Sequence, residues 1–360
     1  MGIAFNGREI GGLAFNGREI ESGYINGRKV FPTSKYSEEY IRNIMDNLNW
    51  VRGTGNIYSD NAGGFIIANY LENNKDEILV YNKKTTLWNT VTLPNIGKSF
   101  EFFRGYSGVL PIEVNQVTEG NYGFLYSKDG GYTWTLYPWQ ITNPCWSFAS
   151  DGKGAYFSGS TLWSYYVPDL LTSKPQQHYD GAHYAYCYDG IYYLVSGTFE
   201  YSLSGGSSFS KVTPFSSYHD CFQGINIVNG KVFATLCSDF YFGTCNNQAL
   251  YYLGKPENIY SGKPITKAIN LGETYGEADP YKRINAYGIC YCDILECFML
   301  FIPGKTNFNW FSFDGKNWKG AVAKKSIFET VYGAYYVPGQ GFYVNDNGFT
   351  NRYYFAEFKG

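Results

Sequence analysis

Tight glycine turns between short runs of strand-forming residues recur along this chain, and they restrict what it can build. Asp151-Gly152, Asp189-Gly190, Asn229-Gly230 and Pro338-Gly339 each separate two runs rich in Tyr, Phe, Ile, Val or Ala. Asn-Gly or Asp-Gly in such a setting selects a two-residue hairpin loop, because a type I′ turn needs positive φ at both positions. From about residue 50 these hairpins return roughly every 35–45 residues, a period at which each repeat is one small sheet. A sheet of that size cannot bury a core alone, so the copies must pack against one another.

That spacing predicts an all-β fold, a β-propeller of about seven blades. The units fall near 56–94, 99–139, 144–179, 184–215, 219–265, 283–323 and 329–360. The last lacks an obvious fourth strand. The segment around Trp50, Val51 and Arg52 is expected to supply it, closing the ring and removing exposed edges. The soft boundaries leave six or eight blades open. No linker or shift in composition divides residues 50–360, which therefore read as one domain.

Composition agrees with short strands. Aromatic residues make up 20% of the 360 residues, with 36 Tyr and 27 Phe beside 42 Gly. Aromatic side chains favour strands and fill the space between sheets. A Tyr-rich contact surface is the functional alternative, since Tyr offers large area at low entropic cost. The net charge of −2 gives no basis for nucleic-acid binding through a basic face. The first residues show neither a basic stretch nor an apolar core of a signal peptide, and no apolar run is long enough to span a membrane. Folding in a cytoplasm is expected, and the eight cysteines then read as mostly buried free thiols. Cys290 and Cys292 would share one face of a strand. The three His fit no zinc spacing, so neither a metal nor another cofactor is expected.

One closing hairpin stands out. Ser127, Asp129, Gly131, Thr133 and Trp134 make a Ser-x-Asp-x-Gly-x-Thr-Trp turn, and Ser312, Asp314 and Trp318 make a weaker copy. Degenerate copies lie at 202–209 and 82–88. The Asp can accept backbone N–H groups inside the turn, and the Trp can pack between sheets. The motif resembles the Asp-box of sialidase-like propellers, and the resemblance implies a structural role for Asp129 and Asp314.

The first 31 residues follow a different rule. Residues 4–10 recur verbatim at 14–20, and residues 24–30 make a third copy, each centred on Asn-Gly (Asn6-Gly7, Asn16-Gly17, Asn26-Gly27). Three short hairpins are expected, needing partners to be stable. These units resemble the short repeats of phage tail and baseplate proteins. The resemblance implies attachment to other virion proteins through residues 1–31; a decorative ribbon with no partner is the alternative. Residues 32–49 form a linker with a helix over 37–48. Ser37 caps it, Glu38 and Glu39 sit in its first turn, and Tyr40, Ile41, Ile44, Met45 and Leu48 share a face. That face packs on the β domain or, alternatively, trimerises the anchor.

The sialidase resemblance raises the question of catalysis. Enzymes of that family clamp a carboxylate with three arginines, for which Arg52, Arg104 and Arg283 are the arithmetical candidates, but their Phe/Tyr-Arg-Ile-Pro motif is absent. Arginines outside the anchor are expected at the surface or in turns. The sequence therefore points to a non-enzymatic virion component, in a tail, baseplate or fibre, that binds a host surface ligand, a glycan or a protein. A sialidase-like glycoside hydrolase and a purely structural particle component are the alternatives. Candidate contacts are Tyr58, Tyr106, Tyr165, Tyr166, Tyr241 and Tyr275, with variable loops near 171–183 and 238–247. A homo-oligomer, such as a trimer, is expected because a small ribbon gains most by packing with its own copies.

Overall fold

The computed structural model describes residues 36–68, 76–96, 99–118, 121–159, 164–178, 184–195, 199–203, 207–211, 220–241, 244–254, 266–270, 286–302, 308–322, 328, 331–346 and 352–359, together with six short N-terminal strands. Among them, seven four-stranded antiparallel sheets form a seven-bladed β-propeller. Blade 1 runs from Asn56–Ser59 to Leu87–Thr92, blade 2 from Ser99–Phe102 to Thr135–Leu136, and blade 3 from Cys145–Ser150 to Gln176–His178. Blade 4 runs from Tyr184–Tyr188 to Ser210–Lys211, blade 5 from Asp220–Val228 to Thr266–Asn270, and blade 6 from Ile289–Cys292 to Lys319–Val322. The fifth unit thus extends beyond the expected limit at 265. Its last strand lacks a turn motif that could have marked it.

Blade 7 combines Gly333–Val337, Gly341–Asn345 and Arg352–Glu357 with the early strand Trp50–Thr54. Ala356 lies opposite Trp50, and Tyr354 opposite Arg52. The start and end of the domain are hydrogen-bonded in one sheet, as the missing fourth strand required. Trp50 locks this closure edge-on against Phe301 and Phe328, at 5.4 and 5.0 Å between ring centroids.

The first strand of each blade is innermost. Those of blades 3 and 4 pack side by side, as do those of blades 6 and 7. The last strands face outward; that of blade 1 has only exposed and half-buried residues. Turn chemistry follows the sequence at two of the Asn/Asp-Gly turns and not at Asp151-Gly152, where Ser150 pairs with Ala155 across a four-residue loop and only Gly152 has positive φ. Asp189 and Gly190 have φ of 50° and 75°, and Asn229 and Gly230 of 46° and 67°, the paired positive values of a type I′ loop. Aromatic rings fill the space between sheets. Phe157 of blade 3 lies 4.2 Å from Phe124 of blade 2 and 5.1 Å from Phe148. The described free cysteines, Cys145, Cys187, Cys290, Cys292 and Cys297, are all buried, with Cys290 and Cys292 in one apolar cluster.

The helix spans Glu38–Asp46, slightly shorter than 37–48. Ser37 lies outside as its cap, accepting a bond from the Tyr40 amide at 3.1 Å, and Asn47 ends it. Ile41 and Met45 are buried among side chains of blades 6 and 7, whereas Tyr40 is 46% exposed and stacks on Tyr36. Each large apolar side chain so buried contributes about 1.5–3 kcal/mol. The helix therefore packs on the propeller against blades 6 and 7. Upstream, Phe5 pairs with Arg8, Phe15 with Arg18 and Ile25 with Arg28, three strand pairs at the three repeats. No helix among the described residues is long and apolar enough to cross a membrane.

Candidate functional site

The innermost strands converge on a cavity of about 350 Å³. Asn56 and Tyr58 reach it from blade 1, Ser147 and Phe148 from blade 3, and Tyr184 and Tyr186 from blade 4. Tyr332, Tyr335 and Asn345 reach it from blade 7, and Tyr287 from the short 3-10 turn before blade 6. Blade 2 contributes most. Its first strand ends at Phe102, and Phe103, Arg104, Gly105 and Tyr106 then turn inward. Gly105 permits this turn: a Cβ there would lie 2.1 Å from the Val109 carbonyl oxygen, to which the Tyr106 amide donates. The lining is mainly aromatic, with a few polar groups set into it.

Arg104 is the chief of these. Its guanidinium donates to Asn226 Oδ1 at 2.9 Å and lies over Tyr287 at 4.6 Å and Tyr335 at 5.7 Å. Asn226 is held in turn, its amide nitrogen donating to the Ala286 and Ile289 carbonyls at 3.0 and 2.9 Å. Arginine keeps its proton in proteins, so this is a permanent cation. Three phenols around it, those of Tyr106, Tyr186 and Tyr287, are neutral. Burial pushes Tyr287 up to about 12 and Tyr106 and Tyr186 higher. Tyr186 and Tyr287 share a hydroxyl–hydroxyl hydrogen bond.

Two carboxyls stand near by. Glu101 lines the cavity and lies opposite Glu113 across the first two strands of blade 2. Glu113 is fully buried and accepts the Cys145 amide of blade 3 at 2.7 Å, which ties the two blades together. Burial, followed by the neighbouring Glu101, raises its carboxyl to about 8, so it is largely protonated at neutral pH. Burial also raises Glu101.

Of the candidate tyrosines, Tyr58 and Tyr106 line the cavity. Tyr165 is buried between blades, and Tyr166 packs against another core cluster. Tyr241 ends a strand of blade 5 whose side chains there lie outside the described residues, as does Tyr275. Of the three candidate arginines, Arg104 alone is placed in the cavity. Arg52 is exposed on the outermost strand of blade 7, and Arg283 lies outside the described residues. The expected surface position is wrong for Arg104, and also for Arg352, which pairs with fully buried Asp346 at 2.9 Å. Phe103-Arg104-Gly105-Tyr106 carries one legible signal, a glycine between two polar-tipped residues at an inner strand end. Nothing in it announces Tyr186, Tyr287 or Tyr335.

The two turn motifs sit away from the cavity and share one bonding scheme. Gly131 donates to Ser127 Oγ at 2.8 Å, Thr133 donates through its amide and hydroxyl to the Asp129 carboxylate at 2.9 and 2.7 Å, and Trp134 Nε1 donates to the Gly131 carbonyl at 2.9 Å. At the second, Gly315 donates to Ser312 Oγ, Lys316 and Asn317 to Asp314, and Trp318 Nε1 to the Gly315 carbonyl, all at 2.8–2.9 Å. Burial works against both carboxylates, but these hydrogen bonds outweigh it and hold them below the usual range. The degenerate turn at 82–88 uses Asn82, which accepts the Lys84 and Thr85 amides.

No family model matches the chain, and no curated protein matches it in sequence. Among solved structures, a chain of the "Mitotic Checkpoint Complex" aligns over 99% of this chain and 100% of its own, with a TM-score of 0.52 and 9% identity. "YCF48 bound to D1 peptide" aligns over 86% of this chain and 97% of that one, with a TM-score of 0.49 and 13% identity. The GH74 xyloglucanase of Xanthomonas campestris aligns over 76% of this chain and 46% of that one, with a TM-score of 0.46 and 10% identity. At these identities the likeness is one of fold alone, and the propeller itself is established by the seven four-stranded sheets.

Proposed function

We propose that this chain is a virion component, of a tail, baseplate or fibre, whose propeller binds a host surface glycan in the central cavity without cleaving it. The observation that carries the reading is the lining: aromatic faces from blades 1, 2, 3, 4 and 7 and from Tyr287 around a cavity of about 350 Å³, enough for one or two sugar rings. Aromatic faces stack on the apolar faces of sugars, while amides and a guanidinium orient hydroxyls. The virion role is supported by the verbatim repeats, whose three strand pairs are too small to stand alone and suit docking onto other particle proteins or copies of this chain. The non-catalytic reading is supported by Arg52, which is exposed on an outer strand and so unavailable to a clamp with Arg104.

The test is a glycan array with the full chain, followed by hydrolysis assays on every hit. Binding that leaves the glycan intact, lost on Tyr58→Ala or Tyr184→Ala, is the expected result. Bond cleavage would replace the reading with a hydrolase, and absence of any hit on host glycans would favour a purely structural component.

A further inference from the structure

We infer that the outermost strand of blade 1, Leu87–Thr92, pairs antiparallel with the same strand of a second copy of this chain, joining two blades into one continuous sheet across a two-fold axis. A sheet edge presents unpaired N–H and C=O groups, and chains blunt such edges with short strands, charges or bulges. The outer strands of the other blades are blunted in these ways. Thr135–Leu136 and Ser210–Lys211 are two residues long, and Gln176–His178 three. Thr266–Asn270 carries Lys267 and a register shift against its neighbour, Lys319–Val322 begins on a lysine, and Trp50–Thr54 has exposed Arg52 at its centre. Leu87–Thr92 has none of these devices. It is six residues long, runs in unbroken register with its inner neighbour, contains neither a charge nor a proline, and exposes Leu87, Asn89, Thr90 and Thr92. Among the described residues no strand covers its outer side.

Charge and register identify the occupant as a second copy. A two-fold axis sets residues near the axis against their own counterparts, so a strand with a central charge repels its copy, and this strand has none. The Leu93 amide donates inward to the Asp76 carbonyl. By the alternation of an antiparallel ladder, the N–H and C=O groups of Trp88, Thr90 and Thr92 therefore point outward. An axis through Thr90 sets it against Thr90 of the second copy, and Trp88 against Thr92 of that copy. Every outward group from Trp88 to Thr92 is then paired, in about six backbone hydrogen bonds. Thr opposite Thr and an aromatic residue opposite a β-branched one are favourable cross-strand pairs. The same register brings Leu87, which is 60% exposed, alongside Leu93 of the second copy.

The experiment is sedimentation velocity of the full chain over a concentration series, for wild type and Thr90→Lys, with a thermal melt to verify that the variant is folded. Thr90 is exposed on an edge strand, where a single copy accommodates lysine. Wild type should dimerise, and Thr90→Lys, which sets two ammonium groups at the axis, should weaken the dimer by at least about 100-fold. Thr90→Cys supplies a positive arm. Residues in a hydrogen-bonded antiparallel pair have Cα atoms about 5.5 Å apart, within disulfide reach, so oxidised glutathione should convert this variant to a covalent dimer on a non-reducing gel. Val51→Cys, exposed on the outer strand of blade 7, should not cross-link. Wild type that stays monomeric at about 100 µM overturns the inference. So does an oligomer that Thr90→Lys leaves intact, or cross-linking of Val51→Cys as readily as Thr90→Cys. The inference does not rest on the glycan reading, which stands or falls separately.

Discussion

The turn at 127–134 and the cavity around Arg104 treat their polar groups in opposite ways. In the turn the side-chain acceptors are used internally: Asp129 is surrounded by donors from Ser127 and Thr133, and Trp134 returns its indole N–H to Gly131. In the cavity a permanent cation meets one amide oxygen and two ring faces. Hydrogen bonds closed within a few residues stabilise a local shape. A charge left partly unanswered where the blades converge contributes no such local stabilisation. The difference separates residues that build the propeller from residues that can serve a ligand.

The largest expected effect contrasts the two turns. Trp318 is 8% exposed and packs edge-on against Phe233 at 6.0 Å, so Trp318→Ala should destabilise by about 3–5 kcal/mol, measured by denaturant unfolding. Trp134 is only half-buried, and Trp134→Ala should cost clearly less. Equal losses would break the view that the second turn, weaker in sequence, carries more of the packing.

A pH series sharpens the contrast between the inner blades and the turns. Glu113 has a folded pKa raised to about 8 from an ordinary value of 4.5, so folding favours its protonated form. Its contribution is fully present below about pH 4.5 and is lost as pH rises through 8. Glu113→Gln should therefore flatten the fall in stability between these values. Asp129 and Asp314 work the other way. Their folded pKa values are depressed, so their contribution is present at neutral pH and lost as pH falls below 3.8. Melting temperatures across pH 2–9 for wild type, Glu113→Gln and Asp314→Ala check both signs.

Asp129→Ala should cost about 1–2 kcal/mol, because the bonds it removes lie at an exposed turn where water replaces them. The smallest effect belongs to Arg104. Arg104→Gln should change unfolding free energy by less than about 1 kcal/mol, since no buried carboxylate is orphaned by the loss. A large loss would mean that Arg104 is a structural hub, and would erase the distinction between turn and cavity.

Much of the propeller could be read from local rules. Glycine turns marked the first hairpins of blades 3, 4, 5 and 7, and the missing strand of the last unit pointed to Trp50–Thr54, because each of these signals lies within one hairpin or one sheet. The site was less legible. Tyr58 and Tyr106 were among the candidate contacts and do line the cavity, but Tyr165 resembles them in sequence and lies between blades. Tyr58 and Tyr165 both sit on strands, and Tyr106 on the turn after one. Which one faces the centre depends on the register and twist of the whole ring, not on its neighbours in the chain.

The sequence alone determined the kind of element, the turn geometry, the blade period and the closure, because these depend on contacts between residues close in the chain or paired in one sheet. Only the tertiary structure decided that Arg104, Asn226, Tyr287 and Tyr335, drawn from distant segments, would meet around one cavity. Closing a seven-membered ring brings these positions together, and no short-range pattern encodes that meeting.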